Sequence, residues 1–214
     1  MADVRGGRTT VFPAPSVQSD RYRCLMRYVA FLRAINTGTR RMKMAELARF
    51  FRGFGFTDVS TFLASGNVIF DCDSSPDVNR VEDAFEGEFG FRSEVFLRDR
   101  YQIRSVLDRV PWTGDDGVIE ISFLECEPKI AAANSLEATA VHPERLSVSG
   151  SEVFLLRVAK EIPTTHKEST SVRMLGMTMT RRGLATVTRI HDRFILPFPE
   201  ENGSVPKLRG RAHR

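Results

Sequence analysis

The order of strand-like and helix-like segments is the feature that most constrains how this chain folds. The pattern gives in turn a strand at 27–35, an amphipathic helix ending at Gly53 and Gly55, strands at 57–63 and 68–71 around Ser65-Gly66-Asn67, a helix capped by Ser75-Pro76, and a strand at 92–98. This β-α-β-β-α-β order is that of the ferredoxin-like arrangement.

The same order recurs in the second part of the chain. A connecting helix with Ile103, Val106, Leu107 and Val110 on one face leads into it. The expected elements are a strand at 118–124, a helix at 128–139, a hairpin with strands at 145–148 and 153–158, a helix at 169–179 and a last strand at 185–190. The sequence therefore predicts an α+β protein with two ferredoxin-like halves in tandem.

Two terminal extensions flank these halves. Residues 1–25 carry Gly, Pro, Ser and Arg without a helical period, which is typical of a disordered extension. The expected boundaries are 26–98 for the first half, 99–112 for the connecting helix, 113–192 for the second half and 193–214 for a basic C-terminal tail.

The net charge of +4 is concentrated at the two ends of the chain. Residues 1–26 carry a net +2 and residues 203–214 a net +4, so residues 27–202 carry a net −2. Proteins that bind nucleic acid usually cluster basic side chains on the folded body. The near-neutral body therefore argues against a nucleic-acid partner, and the tails are the segments left to contact phosphate.

Cysteine usage favours a reducing compartment, and the hydropathy of the sequence predicts no membrane-spanning helix. Cys24, Cys72 and Cys126 are odd in number and far apart, as expected of reduced thiols. No stretch reaches the roughly 18 apolar residues of a spanning helix. The histidines never fall at metal-ligand spacing. We expect a cytoplasmic protein with no metal, no cofactor and no membrane partner.

One segment matches the start of an RNA-recognition signature. Arg52-Gly53-Phe54-Gly55-Phe56 fits the first positions of K/R-G-F/Y-G/A-F. That signature works only on a central strand, where bases can stack on its aromatic rings. Here the segment follows an amphipathic helix, so we interpret its glycines as helix-ending residues and its phenylalanines as core.

Polar residues gather on the loops of the first half. Arg33, Asn36 and Lys43 surround the end of the first strand, and Ser65 and Asn67 lie on the first hairpin. Asparagine at such positions also stabilises turns through its own backbone. Spacing alone leaves both roles open, ligand binding and turn geometry.

Two stretches of the chain carry a family resemblance. YVAFLRAIN, KMAELARFF and GFTDVSTFLASGNVIF, within residues 28–70, and TRRGLATVTRI at 180–190 resemble the opening and closing segments of an uncharacterised bacterial family, domain of unknown function 1697. The resemblance implies a tandem ferredoxin-like structure and no established reaction, ligand or catalytic residue. The polar positions that it carries over are Arg33, Asn36, Lys43, Ser65, Gly66, Asn67, Arg182 and Thr186.

The chain also departs from the family pattern. Thr37-Gly38-Thr39 stands where a glycine pair is usual, Gly183-Leu184 where Asn-Trp is usual, and THKES at 165–169 where a glycine-rich basic turn is usual. If those family residues serve a ligand, its site is altered in this protein.

Three functions from different classes remain open. The absence of a catalytic constellation favours a non-enzymatic binding or interaction module with an unknown protein or small-molecule partner. An enzyme acting on a small anionic substrate is the second, with Arg33, Lys43 and Arg182 as anion contacts, since arginine binds carboxylate and phosphate bidentately. Its catalytic residues are unknown. The third is nucleic-acid binding through an open sheet face or the basic tails.

Overall fold

Eight strands and six α-helices alternate along the part of the chain that can be described. The computed structural model describes residues 25–38, 41–112, 117–157 and 166–197. The elements are β1 (Met26–Leu32), α1 (Met44–Gly53), β2 (Thr57–Phe62), β3 (Asn67–Cys72), α2 (Val78–Phe89), β4 (Val95–Asp99), α3 (Arg100–Asp108), β5 (Val118–Leu124), α4 (Ile130–Glu137), β6 (Arg145–Ser149), β7 (Glu152–Arg157), α5 (Glu168–Leu175), β8 (Met179–Gly183), α6 (Leu184–Ile190) and a π-helical turn (His191–Ile195).

The first half is a four-stranded sheet with two helices on its outer face. The strand order is β2-β3-β1-β4, and each neighbouring pair is antiparallel. Alternate strand residues such as Leu32, Val68 and Phe70 form an apolar core with Leu47 and Phe51 of α1 and with α2. This period-2 burial is why the apolar runs of the sequence form strands here.

The second half repeats this topology. Its strand order is β6-β7-β5-β8, again antiparallel throughout. Residues Leu124, Val153 and Leu155 face Leu136 of α4 and Leu175 of α5. The prediction of two ferredoxin-like halves in tandem is confirmed.

The inner faces of the two sheets share a third apolar core. The rings of Phe31 on β1 and Phe123 on β5 stack with their centroids 4.1 Å apart. Helices α3 and α6 complete this core with Ile103, Val106, Val187 and Ile190. Burying one such phenylalanine contributes about 1.5–3 kcal/mol, so the halves are joined by their cores as well as by the chain.

The N-terminus of α2 differs from the prediction. Asp77, not Ser75, caps the helix, and its carboxylate accepts the Arg80 backbone N–H at 3.1 Å. Aspartate is as good an N-cap as serine, and the helix starts two residues later than Pro76 suggested. Gly90 ends the helix as expected, with a φ of 73°.

The predicted last strand at 185–190 is wrong, since Leu184–Ile190 is α6 and the strand is Met179–Gly183. Gly176 ends α5 at a φ of 70°, so Met179 belongs to β8 and not to the predicted helix at 169–179. The β-branched residues of ATVTRI favoured a strand. Their spacing instead buries Val187 and Ile190 on one helical face against the shared core, and this packing overrides the local preference.

The terminal predictions fall largely outside the described residues. Of the expected disordered extension 1–25, only Leu25 is described, and of the tail 193–214 only 193–197, part of which belongs to the π-helical turn. Among the described helices, none combines the length and the apolar character needed to cross a bilayer.

Candidate functional site

Arg182 of β8 links the two halves through the polar positions singled out in the sequence. Its Nε donates to Asn67 Oδ1 at 2.6 Å, and its Nη2 donates to the carbonyl oxygens of Leu32 at 2.8 Å and Ser65 at 2.7 Å. The structure therefore brings together Ser65, Gly66, Asn67 and Arg182, although Arg182 lies in the other half of the chain. This convergence was left open by the spacing of the residues.

The guanidinium of Arg182 has no N–H left for a ligand. Its Nη1 donates to Thr180 Oγ1 at 2.9 Å and to the Arg181 carbonyl at 2.7 Å, so all five N–H groups have acceptors within the protein. Burial lowers the pKa of Arg182 to about 10, so the side chain still carries its charge at neutral pH. The ring of Phe31 lies 5.6 Å from the guanidinium carbon and adds a cation–π contact.

Arg98 of β4 makes the equivalent link in the opposite direction. Its Nε donates to Glu152 Oε1 at 2.7 Å, and its Nη2 donates to the carbonyls of Leu124 at 2.9 Å and Ser151 at 3.1 Å. Arg98 and Arg182 are both fourth residues of five-residue strands. Leu124 and Leu32 are both last residues of β5 and β1, and Glu152 and Asn67 are both first residues of β7 and β3.

The two links differ in charge. Glu152 is 2% exposed and also accepts from Arg109 Nη2 at 2.6 Å, so Arg98 faces a buried carboxylate. Asn67 is fully buried and neutral, and its Nδ2 donates to the Phe62 carbonyl at 2.7 Å. The Arg98 link is therefore an ion pair and the Arg182 link is a set of hydrogen bonds to neutral acceptors.

Asn36 and Gly66 hold the loops beside the Arg182 link. Asn36 donates to the Ala64 carbonyl at 2.7 Å and accepts the Met42 backbone N–H at 2.6 Å, so it joins the β1–α1 connection to the β2–β3 hairpin. Gly66 has a φ of 80°, and a Cβ there would lie 2.8 Å from Ile35 Cδ1. Both residues have the turn role that the sequence left as an alternative.

The remaining predicted positions lie apart from this network. Arg33 pairs with Glu94 at 3.1 Å and lies 3.9 Å from Glu168. Lys43 has a side chain that is 84% exposed and lies 3.8 Å from Glu46. Thr186 is half-buried on α6. A ligand contact by any of these residues stays a prediction.

A cleft between the halves was missed by the sequence reasoning. We call it the inter-half cleft; its volume is about 540 Å³, and it is lined by Val78, Asn79, Glu82, Arg92, Glu94, Val95, Phe96, Leu97, Arg98, Leu124, Glu125 and Thr178. The outer edge of β4 forms one wall, and the ends of β5 and of the segment before β8 form the other. No sequence signal marks it, because its walls meet only once the halves are placed.

Two of the cysteines and the segment that matches the start of the RNA-recognition signature lie among the described residues. Cys72 is half-buried, Cys126 is exposed and both are free, while Cys24 lies outside the described residues. Phe54 caps the C-terminus of α1, and Phe56 stacks on Phe70 in the outer core at 4.3 Å. Within the described ranges, no group of three His, Cys, Asp or Glu could hold a metal ion.

Comparison with known proteins places the chain in a family. The model of the family described as Protein of unknown function (DUF1697) matches residues 25–154, which is more than half of the chain. The chain belongs to the DUF1697 family. The match covers β1 to β6 and the start of β7, and so includes Arg98, Asn67 and the β4 wall of the inter-half cleft. No curated protein matches the sequence.

A solved structure of a similar protein supports the fold of this DUF1697 member. The conserved bacterial protein SP0830 from Streptococcus pneumoniae superimposes with a TM-score of 0.61 at 21% sequence identity. The alignment covers 78% of this chain and 98% of that one. At this identity the likeness speaks for the fold alone.

Proposed function

We propose that this DUF1697 protein is a non-enzymatic binding module whose ligand occupies the inter-half cleft. The observation that carries the proposal is the cleft itself, a space of about 540 Å³ between two halves that buried arginines lock together. Small-molecule sites typically measure about 300–1,000 Å³. A cleft whose walls are already fixed loses little conformational entropy when a ligand binds.

Arg98 fixes the relative position of the cleft walls. It stands on β4, which is one wall, and donates to the carbonyl of Leu124, which is part of the other. Four of its five N–H groups donate within the protein, and its guanidinium lies 5.4 Å from the ring of Phe123. The ligand therefore meets a preformed surface.

The charges that line the cleft favour a ligand with a positive group. Glu82 is paired with Arg92 at 2.9 Å, and Glu94 is paired with Arg33 at 3.1 Å. Glu125 accepts the Thr178 hydroxyl at 2.6 Å and has no cationic partner among the described residues. An amine or guanidine group of a small polar molecule would satisfy this carboxylate.

The motif positions support a binding scaffold over an enzyme for an anionic substrate. Arg182 was one of three expected anion contacts, and its N–H groups are all taken by the protein. The family positions Ser65, Gly66 and Asn67 serve the same internal link. These residues hold the halves in register, which is what a rigid binding surface requires.

Native mass spectrometry of gently purified, untagged protein tests the proposal. We expect an added mass of a small cationic molecule, or binding of one member of a panel of amino acids and polyamines by calorimetry. Asn79 is exposed and lines the cleft, so Asn79→Trp should abolish binding by filling the space. Removing one charged contact in Glu125→Gln should weaken it by about tenfold.

The matched control is Glu88→Trp, an equally exposed change on the same helix outside the cleft. It should leave binding intact. Failure of every panel member to bind at millimolar concentration, together with a bare protein mass, would sink the proposal. Equal loss of binding in both tryptophan variants would also contradict the proposal, because the effect would then not depend on the cleft.

A further inference from the structure

Three charged side chains replace apolar ones on the outer face of the second sheet. Glu120 on β5, Arg157 on β7 and Arg181 on β8 stand at the strand positions that Tyr28, Cys72 and Leu97 hold in the first sheet. In the first half those three residues pack against the outer apolar core. The same fold in the first half therefore does not need charges at these positions.

The geometry of the triad places one carboxylate between two guanidinium groups. Glu120 lies on the central strand and receives Arg157 Nη2 at Oε1 and Arg181 Nη1 at Oε2, each at 3.1 Å. Arg181 Nε donates in addition to Ser122 Oγ at 3.3 Å. All three charged side chains are about four-fifths buried, at 20–21% exposure. We call Glu120, Ser122, Arg157 and Arg181 the Arg157–Arg181 site.

The N–H groups of these two arginines are mostly unused. Three of their ten donate to acceptors in the described part of the chain, whereas Arg182 uses all five of its own. The Nε of Arg157 is buried and has no hydrogen-bond partner among the described residues. A buried donor without an acceptor is destabilising, and more so when it is charged. The site thus lacks acceptors, not donors.

The net charge of the site also favours a bound anion. Two guanidiniums share one carboxylate, so the triad carries a net positive charge in a place that is largely withdrawn from water. Partly desolvated charges of one sign are stabilised by a counter-ion with matched geometry. Planar guanidiniums match the oxygens of phosphate or sulfate through paired N–H···O contacts.

We propose that the Arg157–Arg181 site binds an oxyanion, the phosphate group of a small molecule or free inorganic phosphate. The anion would accept from the unused Nη groups of Arg157 and Arg181, which lie on either side of Glu120. This site lies on the outer face of the second sheet, apart from the residues that line the inter-half cleft. It does not use Arg33, Lys43 or Arg182, the anion contacts expected from the sequence.

Calorimetric titration with sulfate at constant ionic strength and pH 7.5 tests the proposal. Arg157→Gln and Arg181→Gln should each weaken binding by about tenfold, the effect of one lost charge-assisted contact. Arg173→Gln removes a positive charge from an exposed position of α5 and should change binding by less than about twofold. Asn79→Trp, which fills the cleft, should leave sulfate binding unchanged.

Glu120→Gln separates an anion site from a purely internal ion pair. Glutamine keeps one acceptor oxygen but removes the negative charge between the two arginines, so sulfate should bind at least about threefold more tightly. If the triad serves only the stability of the sheet, this variant loses stability and gains no affinity. Wild-type protein that gives no heat and no chemical-shift change with either sulfate or phosphate would overturn the proposal outright.

His166 supplies a second readout beside the site. Burial and the nearby Arg181 charge lower the pKa of its imidazole, against an opposing effect of Glu144. A bound dianion would offset the Arg181 charge, so the NMR-detected pKa of His166 should rise when sulfate is added to the wild type and not in Arg181→Gln. Comparing inorganic phosphate with methyl phosphate distinguishes the two sources: tighter binding of the ester indicates a phosphorylated small molecule, and tighter binding of the free ion indicates phosphate itself.

Discussion

Arg98 and Arg182 occupy the same position of equivalent strands, and each donates to backbone carbonyls of the half to which it does not belong. The acceptors are equivalent too, since Leu124 and Leu32 end the central strands β5 and β1. The halves are thus related by an internal two-fold pattern of bonds. The pattern holds although the side-chain acceptor is the carboxylate of Glu152 in the Arg98 link and the neutral amide of Asn67 in the Arg182 link.

Arg182→Met should destabilise the protein by about 3 kcal/mol, because it leaves the buried acceptor oxygens of Asn67, Leu32 and Ser65 without a hydrogen-bond donor. Urea unfolding of the purified variant measures the change. The methionine keeps the apolar stem, so lost packing contributes little. An unchanged midpoint would mean that the link does not hold the halves together.

Arg98→Met should cost more than Arg182→Met, about 3–5 kcal/mol, because it removes one partner from a carboxylate that is 2% exposed. Adding Glu152→Leu should recover part of this loss, since the uncompensated buried carboxylate is then removed. A double-mutant cycle by urea unfolding gives the coupling. Strict additivity would contradict an ion pair between the two side chains.

Gly66→Ala should destabilise the protein, because the left-handed φ of 80° is strained for alanine and its Cβ would lie 2.8 Å from Ile35. The expected loss is about 1–3 kcal/mol. Gly87→Ala is the matched control: Gly87 lies inside α2 with open space around it, so alanine should stabilise the helix by about 0.5–1 kcal/mol. Thermal unfolding of both variants measures effects of opposite sign.

Stability should fall on acidification because of His166. Burial and Arg181 lower its pKa in the folded protein. Below pH 6.5 the His166 imidazole is therefore protonated more readily in the unfolded chain than in the folded protein, and this favours unfolding. The contribution is therefore present above the unfolded pKa and is lost as pH falls. Urea midpoints between pH 7.5 and 5 should drop less steeply in His166→Gln than in the wild type.

The fold was predictable from the sequence wherever burial alternates along a strand or follows one helix face. β5 was predicted at its observed bounds, 118–124, and the first half deviates mainly at strand ends. The last strand was missed because ATVTRI has β-branched residues whose helix forms only when Val187 and Ile190 meet the shared core. Tertiary packing decided this element, and local preference could not reveal it.

The candidate site was predictable only in part. The resemblance selected Asn67 and Arg182 together, yet nothing in the spacing says that Arg182 reaches the other half. Arg98 escaped notice because its equivalence to Arg182 depends on placing β8 at 179–183. The inter-half cleft and the Arg157–Arg181 site combine residues from strands that are distant in sequence. Local sequence patterns do not reveal such tertiary contacts.

The backbone bonds of Arg98 and Arg182 have a consequence for the behaviour of the protein at high concentration. Each guanidinium also donates to the carbonyl just before it, Leu97 or Arg181, on the outermost strand of its sheet. On β4 the Val95 N–H, two residues away on the same border, is taken by Glu82. An exposed strand border with free donors and acceptors invites another chain to add to it. Since these groups are already engaged, the borders of β4 and β8 are poor templates for strands of neighbouring molecules, and variants that lose either arginine should aggregate as well as lose stability.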